Sequence, residues 1–177
     1  MEDISENCDN LRKPVTKENR SSGKYPYYGA SGIVDYVSDY LFDGDYLLVS
    51  EDGANLVSRV TPIAFSIAGK NWVNNHAHVL KFSNHDEQKY VEMFLNGINL
   101  RPYITGAAQP KLNQKNLSCI KIPMPGEKEI HKIVGILNCF EKICNDLSTD
   151  LPAEIEARQK QYEYYRDKLL TFKEKQS

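Results

Sequence analysis

The sequence predicts an α+β protein in which a β-rich first part, with mixed or antiparallel sheets, precedes long C-terminal helices. Residues 1–126 hold most of the ten glycines and most of the short β-branched and aromatic runs, which are typical of strands and turns. From residue 127 onward, apolar residues recur at alternate spacings of three and four. This spacing predicts helices that pack along their length in the manner of a coiled coil. The predicted domains are therefore 1–126 and 127–177.

The β-rich part divides into short elements. Residues 32–37 and 46–50 are predicted strands, with Asp43-Gly44 between them as a hairpin-type turn. Residues 63–67 alternate between apolar and polar side chains, and further strands are expected near 72–73 and 76–82. Residues 86–95 combine early acidic residues with apolar ones at helical spacing, which predicts a short helix.

The C-terminal part predicts two helices, at about 127–147 and 152–173. Asp150 as a capping residue and Pro152 in the first turn indicate the start of the second helix. The alternative is two ordinary helices lying on the first domain. The predicted seam contains the residues at the alternating spacing, namely Ile130, Ile133, Leu137, Phe140, Cys144, Leu147, Leu151, Ile155, Arg158, Tyr162, Tyr165, Leu169 and Phe172. Tyrosine and arginine at seam positions indicate a wide, partly hydrated interface.

Composition excludes several classes. With 22 Lys and Arg against 24 Asp and Glu, the net charge is −2, so any nucleic-acid contact must be local. No apolar run approaches the roughly 20 residues that span a bilayer, and the start does not resemble a signal peptide. We therefore expect a cytoplasmic protein with no membrane partner. The four cysteines lack Cys-x-x-Cys spacing and are expected to be thiols, with Cys144 buried on a helix.

Charge is segregated along the first part of the chain. Residues 34–52 carry acids and no Lys or Arg, whereas residues 53–85 and 93–126 carry Lys and Arg and no acid. A surface built from the two acid-free stretches would be positive and would suit phosphates, and amide side chains nearby could pair with base edges. The alternative is that these are ordinary polar loops.

Catalytic and metal-binding motifs are weak. Residues 21–32 are rich in glycine, hydroxyls and aromatics, but they match neither phosphate-loop pattern. His76 and His78 would share one face of a strand, yet no ligand follows at metal-site spacing. Glu87-Gln88-Lys89 fits a short nuclease fragment that is common by chance. We predict no metal site and no catalytic residue, which favours a reader or adaptor over a catalyst.

Several longer blocks carry a family resemblance. Residues 24–33, 50–56 and 72–80 resemble the target recognition domain of type I restriction-modification specificity subunits. Residues 122–125, 129–134 and 151–170 resemble that family's helical spacer, and residues 106–112 resemble one of its recurrent loops. Members of this family normally carry two recognition domains and two spacers. This chain has one of each, so the resemblance implies a half-length form, either a fragment or a natural truncated subunit.

The resemblance implies a non-catalytic subunit that reads one half of a bipartite site in double-stranded DNA and docks methyltransferase (M) subunits. Restriction or motor (R) subunits would join for cleavage. S-adenosylmethionine, ATP and Mg would belong to those partners, with no cofactor on this chain. A homodimer with antiparallel helices, or pairing with another half-subunit, would restore two recognition domains. Residues 152–172 would form a rod of roughly 32 Å, close to the ~34–36 Å of one DNA turn, and would set the half-site spacing.

Candidate DNA contacts follow from side-chain chemistry. The residues proposed for backbone or groove contact are Lys24, Tyr27, Ser31, Arg59, Lys111 and Lys115. Those proposed to meet base edges are Asn74, Asn75, Gln109, Asn113 and Gln114. Two other functions stay open: a stand-alone metal-dependent nuclease using His76, His78 or Glu87, and a helical assembly factor whose basic stretches bind only a protein partner. Cleavage of DNA by the chain alone would favour the first of these.

Overall fold

The computed structural model describes residues 1–106 and 108–170, without the side chains of 144–150, 158–159, 162 and 165–170. The chain divides into two units, Met1–Val134 and Gly135–Ser177. The domain boundary predicted at residue 126 stays a prediction. Among the described residues, no helix is both long enough and apolar enough to cross a membrane.

Short strands and helices build unit 1. The strands are β1 (Glu6–Asn7), β2 (Ser22–Gly29), β3 (Gly32–Val37), β4 (Phe42–Asp43), β5 (Tyr46–Ser50), β6 (Ala64–Ile67), β7 (Lys70–Val73) and β8 (Ala77–Lys81). The helices are α1 (Asn55–Ser58), α2 (His85–Gly97), α3 (Gln114–Ser118) and α4 (Glu127–Leu170), the last of which extends into unit 2. An α+β class is thus confirmed.

Sheet A is antiparallel, in the order β1-β8-β5-β6. Its central strand β5 is buried along its whole length, because each face packs against a different core. Leu47 and Val49 join one cluster with Val91 and Leu95 of α2. Leu48, from the opposite face, joins the second cluster. A continuous apolar run in the sequence is the expected signature of a strand covered on both sides.

Sheet B is mixed, in the order β3-β2-β7-β4. Strands β2 and β7 are parallel, with Tyr27 opposite Trp72 and Tyr28 opposite Val73. The hairpin of β2 and β3 is antiparallel and irregular, with register shifts along β2. Because β2 and β7 run in the same direction, the turns that follow them lie at the same end of the sheet.

The last helix differs from the prediction. The sequence predicts two helices separated near Pro152, but α4 is continuous from Glu127 to Leu170 and contains Pro152 in its interior. Proline removes one backbone hydrogen bond there, yet Ala153, Glu154, Glu156 and Ala157, which follow it, are good helix formers. In a continuous helix, the two apolar series join at Leu147, Leu151 and Ile155 with two successive spacings of four, which is the stutter that locally unwinds a coiled coil.

The predicted seam divides between the two units. Ile130 is buried within unit 1, so it serves that core and not an open seam, and Ile133 is half-buried. Among the described side chains of unit 2, the large exposed apolar residues are Ile136, Leu137, Phe140, Ile143, Leu151, Ile155 and Tyr164. The predictions for the side chains of Cys144, Leu147, Arg158, Tyr162, Tyr165 and Leu169, and for Phe172, lie outside the described residues.

Candidate nucleic-acid interface

The loop between Thr105 and Lys111 is closed by two backbone hydrogen bonds. The Thr105 N–H donates to the Lys111 carbonyl at 2.9 Å, and the Lys111 N–H donates to the Thr105 carbonyl at 2.8 Å. Gly106 has a φ of 80°, in the left-handed region that glycine adopts without steric cost. A Cβ atom at Gly106 would collide with the Gln109 carbonyl oxygen. The loop therefore requires glycine at this position, and it presents Gln109 exposed.

This loop is fastened to the segment that follows β5. The Gly53 N–H donates to the Pro110 carbonyl at 3.1 Å, and the Leu112 N–H donates to the Glu51 carbonyl at 2.8 Å. The Lys111 ammonium lies 3.0 Å from the Glu51 carboxylate. Backbone and side-chain bonds together therefore fix the loop against β5.

Two turns of the sheets contact the same segment. The Ser50 hydroxyl donates to the Ala30 carbonyl in the turn between β2 and β3. The Glu51 N–H donates at 2.9 Å to the His76 carbonyl in the turn between β7 and β8. Residues 30–31, 51–53, 74–76, 105–106 and 108–111 thus meet at one edge of unit 1, which we call the recognition edge.

Four predicted contact residues are available at the recognition edge. Ser31, Asn75 and Gln109 are exposed, and the Lys111 side chain is 49% exposed although it pairs with Glu51. Next to the edge, Asn113 accepts a hydrogen bond from the Asn116 N–H and caps α3. Gln114 and Lys115 are exposed in α3. These seven residues come from separate parts of the sequence.

Other predicted contact residues have structural roles. Tyr27 is 1% exposed, and its hydroxyl accepts a hydrogen bond from the Val15 N–H at 3.0 Å, so Tyr27 is buried and is not available as the predicted surface contact. Asn74 is 7% exposed and accepts a hydrogen bond from the His76 N–H, which builds the turn below Asn75.

Arg59 and Lys24 lie away from the recognition edge. The Arg59 guanidinium donates to the carbonyls of Leu95 and Ile98 at 3.3 and 2.7 Å, which stabilises the C-terminal end of α2. Burial lowers the pKa of Arg59. Lys24 is exposed near the start of β2, with its ammonium 5.3 Å from the centre of the Tyr25 ring, whereas the recognition edge follows the end of that strand.

Two acidic residues modify the predicted positive surface. Glu51 and Asp52 belong to the acidic stretch of the sequence, but β5 brings them beside the acid-free stretches. Glu51 is neutralised by Arg12 at 2.7 Å and by Lys111 at 3.0 Å. The recognition edge is therefore mixed in charge, because adjacent strands in a sheet are distant in sequence.

His76 is a residue of the recognition edge that the sequence did not predict as a DNA contact. Its ring is about half exposed, and Nδ1 lies 2.8 and 3.0 Å from the two carboxylate oxygens of Asp52. The carboxylate orients the ring through Nδ1, so Nε2 is the nitrogen left for a ligand. Asp52 lies within the resemblance block at residues 50–56, but its pairing with a turn 24 residues away has no local signal in the sequence.

A buried charged cluster supports the edge from below. Burial alone would raise the pKa of Asp9, but the hydrogen bond and electrostatic interaction with His78, the Val79 N–H and Arg12 outweigh it, so the pKa is lowered. Burial would likewise raise the pKa of Glu51, but hydrogen bonds from Arg12 and Lys111 lower it. Both carboxylates are therefore held ionised.

This cluster predicts acid sensitivity. A lowered carboxyl pKa stabilises the fold above the ordinary values of 3.8 for Asp9 and 4.5 for Glu51, and that stability is lost as the pH falls through the lowered values. We expect Asp9→Asn to lower the thermal unfolding midpoint at pH 7. The midpoints of the variant and of the unchanged chain should converge near pH 2. Thermal unfolding from pH 7 to pH 2 measures this, with Asp3→Asn at an exposed position as the control. A constant difference between the two unfolding midpoints at every pH would contradict this prediction.

The predicted two-histidine face is wrong. His76 lies in a turn and β8 begins at Ala77, so only His78 is on the strand. Both ring nitrogens of His78 already have protein partners, and Glu87 accepts a hydrogen bond from the Ser83 hydroxyl. Among the described side chains, no group of three or more His, Cys, Asp or Glu could hold a metal ion.

The chain matches a family model over most of its length. Residues 1–157 match the type I restriction modification DNA specificity domain, so the chain belongs to this family and the resemblance is confirmed. The E. coli EcoR124I/EcoR124II specificity subunit is 47% identical over 68 residues, which is 38% of this chain and 17% of that protein.

Longer alignments cover nearly the whole chain. A type I restriction enzyme specificity subunit of Haemophilus influenzae is 36% identical over 98% of this chain and 46% of the relative. The MpnII specificity subunit of Mycoplasma pneumoniae is 31% identical over 98% of this chain and 53% of the relative. The crystal structure of an S subunit from M. genitalium shares the fold, with a TM-score of 0.64 and 14% identity over 93% of this chain and 43% of that one. The chain thus spans about half the length of these relatives.

Proposed function

We propose that this chain reads one half of a bipartite DNA site as a half-length specificity subunit of a type I restriction-modification system. The observation that carries the proposal is the meeting of four exposed polar side chains, from three segments distant in sequence, on the recognition edge. Ser31, Asn75, Gln109 and Lys111 contribute one hydroxyl, two amides and one cation. This is the chemistry that binds phosphates and base edges together.

We assign different tasks to these side chains. Gln109 and Asn75 can donate and accept through one amide group, which matches the N6 and N7 atoms of adenine. Lys111 contributes charge toward a phosphate, and its bond to Glu51 limits its freedom before binding. His76 adds a nitrogen that Asp52 orients. Gln114 and Lys115 extend the contact along the DNA.

Pairing through unit 2 completes the proposal. Leu137 is 41% exposed and Phe140 is 61% exposed within unit 2, and apolar side chains of this size at coiled-coil spacing require a helical partner. A second copy supplies the same surface, and a twofold dimer then carries two recognition edges for a twofold-symmetric target. Pairing with another half-subunit is the alternative. The half-site separation then depends on the continuous α4 and not on a separate helix of 21 residues.

The partners and chemistry remain part of this proposal. The chain contributes recognition and no catalysis, and it acts in the cytoplasm. Methyltransferase subunits bind it and bring S-adenosylmethionine, and motor-nuclease subunits bring ATP and Mg. The names of the two bacterial relatives, which call them specificity subunits, support this division. A stand-alone nuclease has little support, because each candidate side chain is engaged by a different protein group.

Two substitutions test the recognition edge. In the chain assembled with its methyltransferase partner, Lys111→Ala is expected to weaken binding to all sequences and to reduce the salt dependence by about one phosphate contact. Gln109→Ala is expected to relax discrimination at one base pair, by about 1–3 kcal/mol. The target comes first from methylome sequencing of cells that carry the complex, and binding is then measured on duplexes with single changes.

Lys81→Ala serves as the control for Lys111→Ala, since Lys81 is exposed at the end of β8 remote from the recognition edge. It should leave binding and its salt dependence unchanged. If both loop variants methylate the same sites with unchanged salt dependence, the loop does not contact DNA. Cleavage of DNA by the purified chain with Mg or Mn alone would instead establish the nuclease.

A further inference from the structure

His78 is a buried histidine beneath the recognition edge. It lies in β8, and its side chain is 1% exposed. Nδ1 is 2.6 Å from a carboxylate oxygen of Asp9, and Nε2 is 2.7 Å from the backbone carbonyl of Leu112. The ring therefore joins the N-terminal segment to the residue that directly follows the loop 105–111.

Both partners of this ring are acceptors. A backbone carbonyl can only accept, and the Asp9 carboxylate already accepts hydrogen bonds from the Val79 N–H at 2.8 Å and pairs with Arg12 at 3.2 Å. A neutral imidazole has a single N–H, so one of its nitrogens would turn a lone pair toward an oxygen at hydrogen-bond distance. Two donors are needed to satisfy this geometry, and the imidazolium ion has two.

We infer that His78 is an imidazolium that positions the loop 105–111 for DNA reading. This role rests on the proposed function. His78 does not contact DNA itself. Its ring forms a hydrogen bond to the Leu112 carbonyl, and the Leu112 N–H donates to the backbone carbonyl of Glu51. Leu112 is thereby fixed from both sides, and the position of Lys111 and Gln109 follows from it. A single buried proton thus orders the loop that carries the reading side chains.

The charged groups around His78 favour this state. Asp9 lies on the N-terminal segment, and Glu51 lies 3.9 Å from Nδ1 on the segment after β5. Arg12 bridges these two carboxylates, and Lys111 pairs with Glu51 from the loop. Two carboxylates lie within 4 Å of Nδ1, and both are also paired with a cation of the cluster. A positive ring is therefore compensated within the cluster.

The state of the ring can be measured without DNA. In the 15N-labelled full chain at pH 7, both ring nitrogens of His78 should show the chemical shifts of protonated nitrogens. A neutral tautomer, with one protonated and one bare nitrogen, would overturn the inference. Because this measurement uses the unchanged chain, it does not depend on whether any variant folds.

The positioning role is tested by His78→Gln. A glutamine can still donate one hydrogen bond, but its amide oxygen would face the Asp9 carboxylate. Amide hydrogen exchange at Lys111 and Leu112 should become faster by about tenfold, the effect of one lost hydrogen bond to a buried group. Exchange at Leu48, in the centre of β5, should stay unchanged. Unchanged exchange at the two loop amides would overturn the inference.

A second substitution separates positioning from general damage. Asp9→Asn in the His78→Gln chain replaces the facing oxygen with a donor, so loop protection should partly return. A further loss would show that the cluster is only structural and would overturn the positioning role. Binding to the methylome-defined duplex is measured in parallel. A loosened loop with unchanged DNA affinity would refute the proposed function of the loop but leave the imidazolium intact.

Discussion

Gly106→Ala is expected to weaken sequence-specific DNA binding strongly. The new Cβ atom would collide with the Gln109 carbonyl oxygen, a backbone atom that cannot move alone. At a φ of 80°, alanine also carries a strain of about 1–2 kcal/mol. The loop must open to relieve both effects, and it then loses its closing bonds between Thr105 and Lys111. We expect at least an approximately tenfold loss of affinity.

Gly97→Ala is the matched control. Gly97 ends α2 at an ordinary φ, and nothing lies within 4 Å of the position that a Cβ atom would take there, so alanine should be tolerated. Affinity is measured by fluorescence anisotropy on the methylome-defined duplex, and thermal unfolding shows whether unit 1 stays folded. If Gly106→Ala binds the target as tightly as Gly97→Ala does, the closed loop is not needed for recognition.

Local patterns were sufficient for α2 and for five strands, namely β3, β5, β6, β7 and β8. They did not predict β2, and the predicted hairpin of residues 32–37 with 46–50 is wrong, because β3 pairs with β2 whereas β5 pairs with β6 and β8. The run at residues 46–50 predicted a strand because both faces of β5 are apolar, and the structure places Leu47 and Leu48 in different cores. The predicted helix at 86–95 differs from α2 only at its two ends. The Asn84 side chain accepts a hydrogen bond from the Glu87 N–H, and this cap places the start of α2 at His85. Where all residues of a pattern lie within one strand or helix, the sequence alone is enough to predict that element.

The candidate site depended on contacts between distant residues. Asp9 and His78 are 69 positions apart, and Arg12 and Glu51 are 39 apart. No local pattern specifies such pairs, because they arise only when sheet A places β8 beside β5. Side-chain chemistry alone therefore selected Tyr27 and Arg59, which the structure uses inside the fold. Gln109 and Lys111 were found because they belong to a loop with its own sequence pattern.

Pro152 shows how a sound local signal can be outweighed. Proline after an acidic residue is favoured in the first turn of a helix, and the sequence at 150–152 fits that pattern. The same pattern is compatible with a helix interior when strong helix formers such as Ala153 and Glu154 follow the proline and help to offset its cost of about 3 kcal/mol. The continuous α4 is the result.

Phe140→Asp is expected to prevent self-association through unit 2. Phe140 is 61% exposed in unit 2, and in a dimer it would be buried beside Leu137 of the seam. Loss of a buried phenylalanine costs about 3–5 kcal/mol, and an unpaired carboxylate adds to that cost. A twofold dimer contains the change twice. The dissociation constant should therefore rise by more than about 100-fold.

Sedimentation velocity over a concentration series measures this association. Asn138→Asp is the matched control, because it adds the same charge at an exposed position outside the predicted seam. It should retain the dimer, and both variants should keep the unfolding midpoint of unit 1. Dimers of Phe140→Asp that are as stable as those of Asn138→Asp would contradict the seam. If the unchanged chain stays monomeric over the whole concentration series, the homodimer is refuted. The exposed side chains Leu137 and Phe140 would then require a different half-subunit or a methyltransferase subunit to cover them.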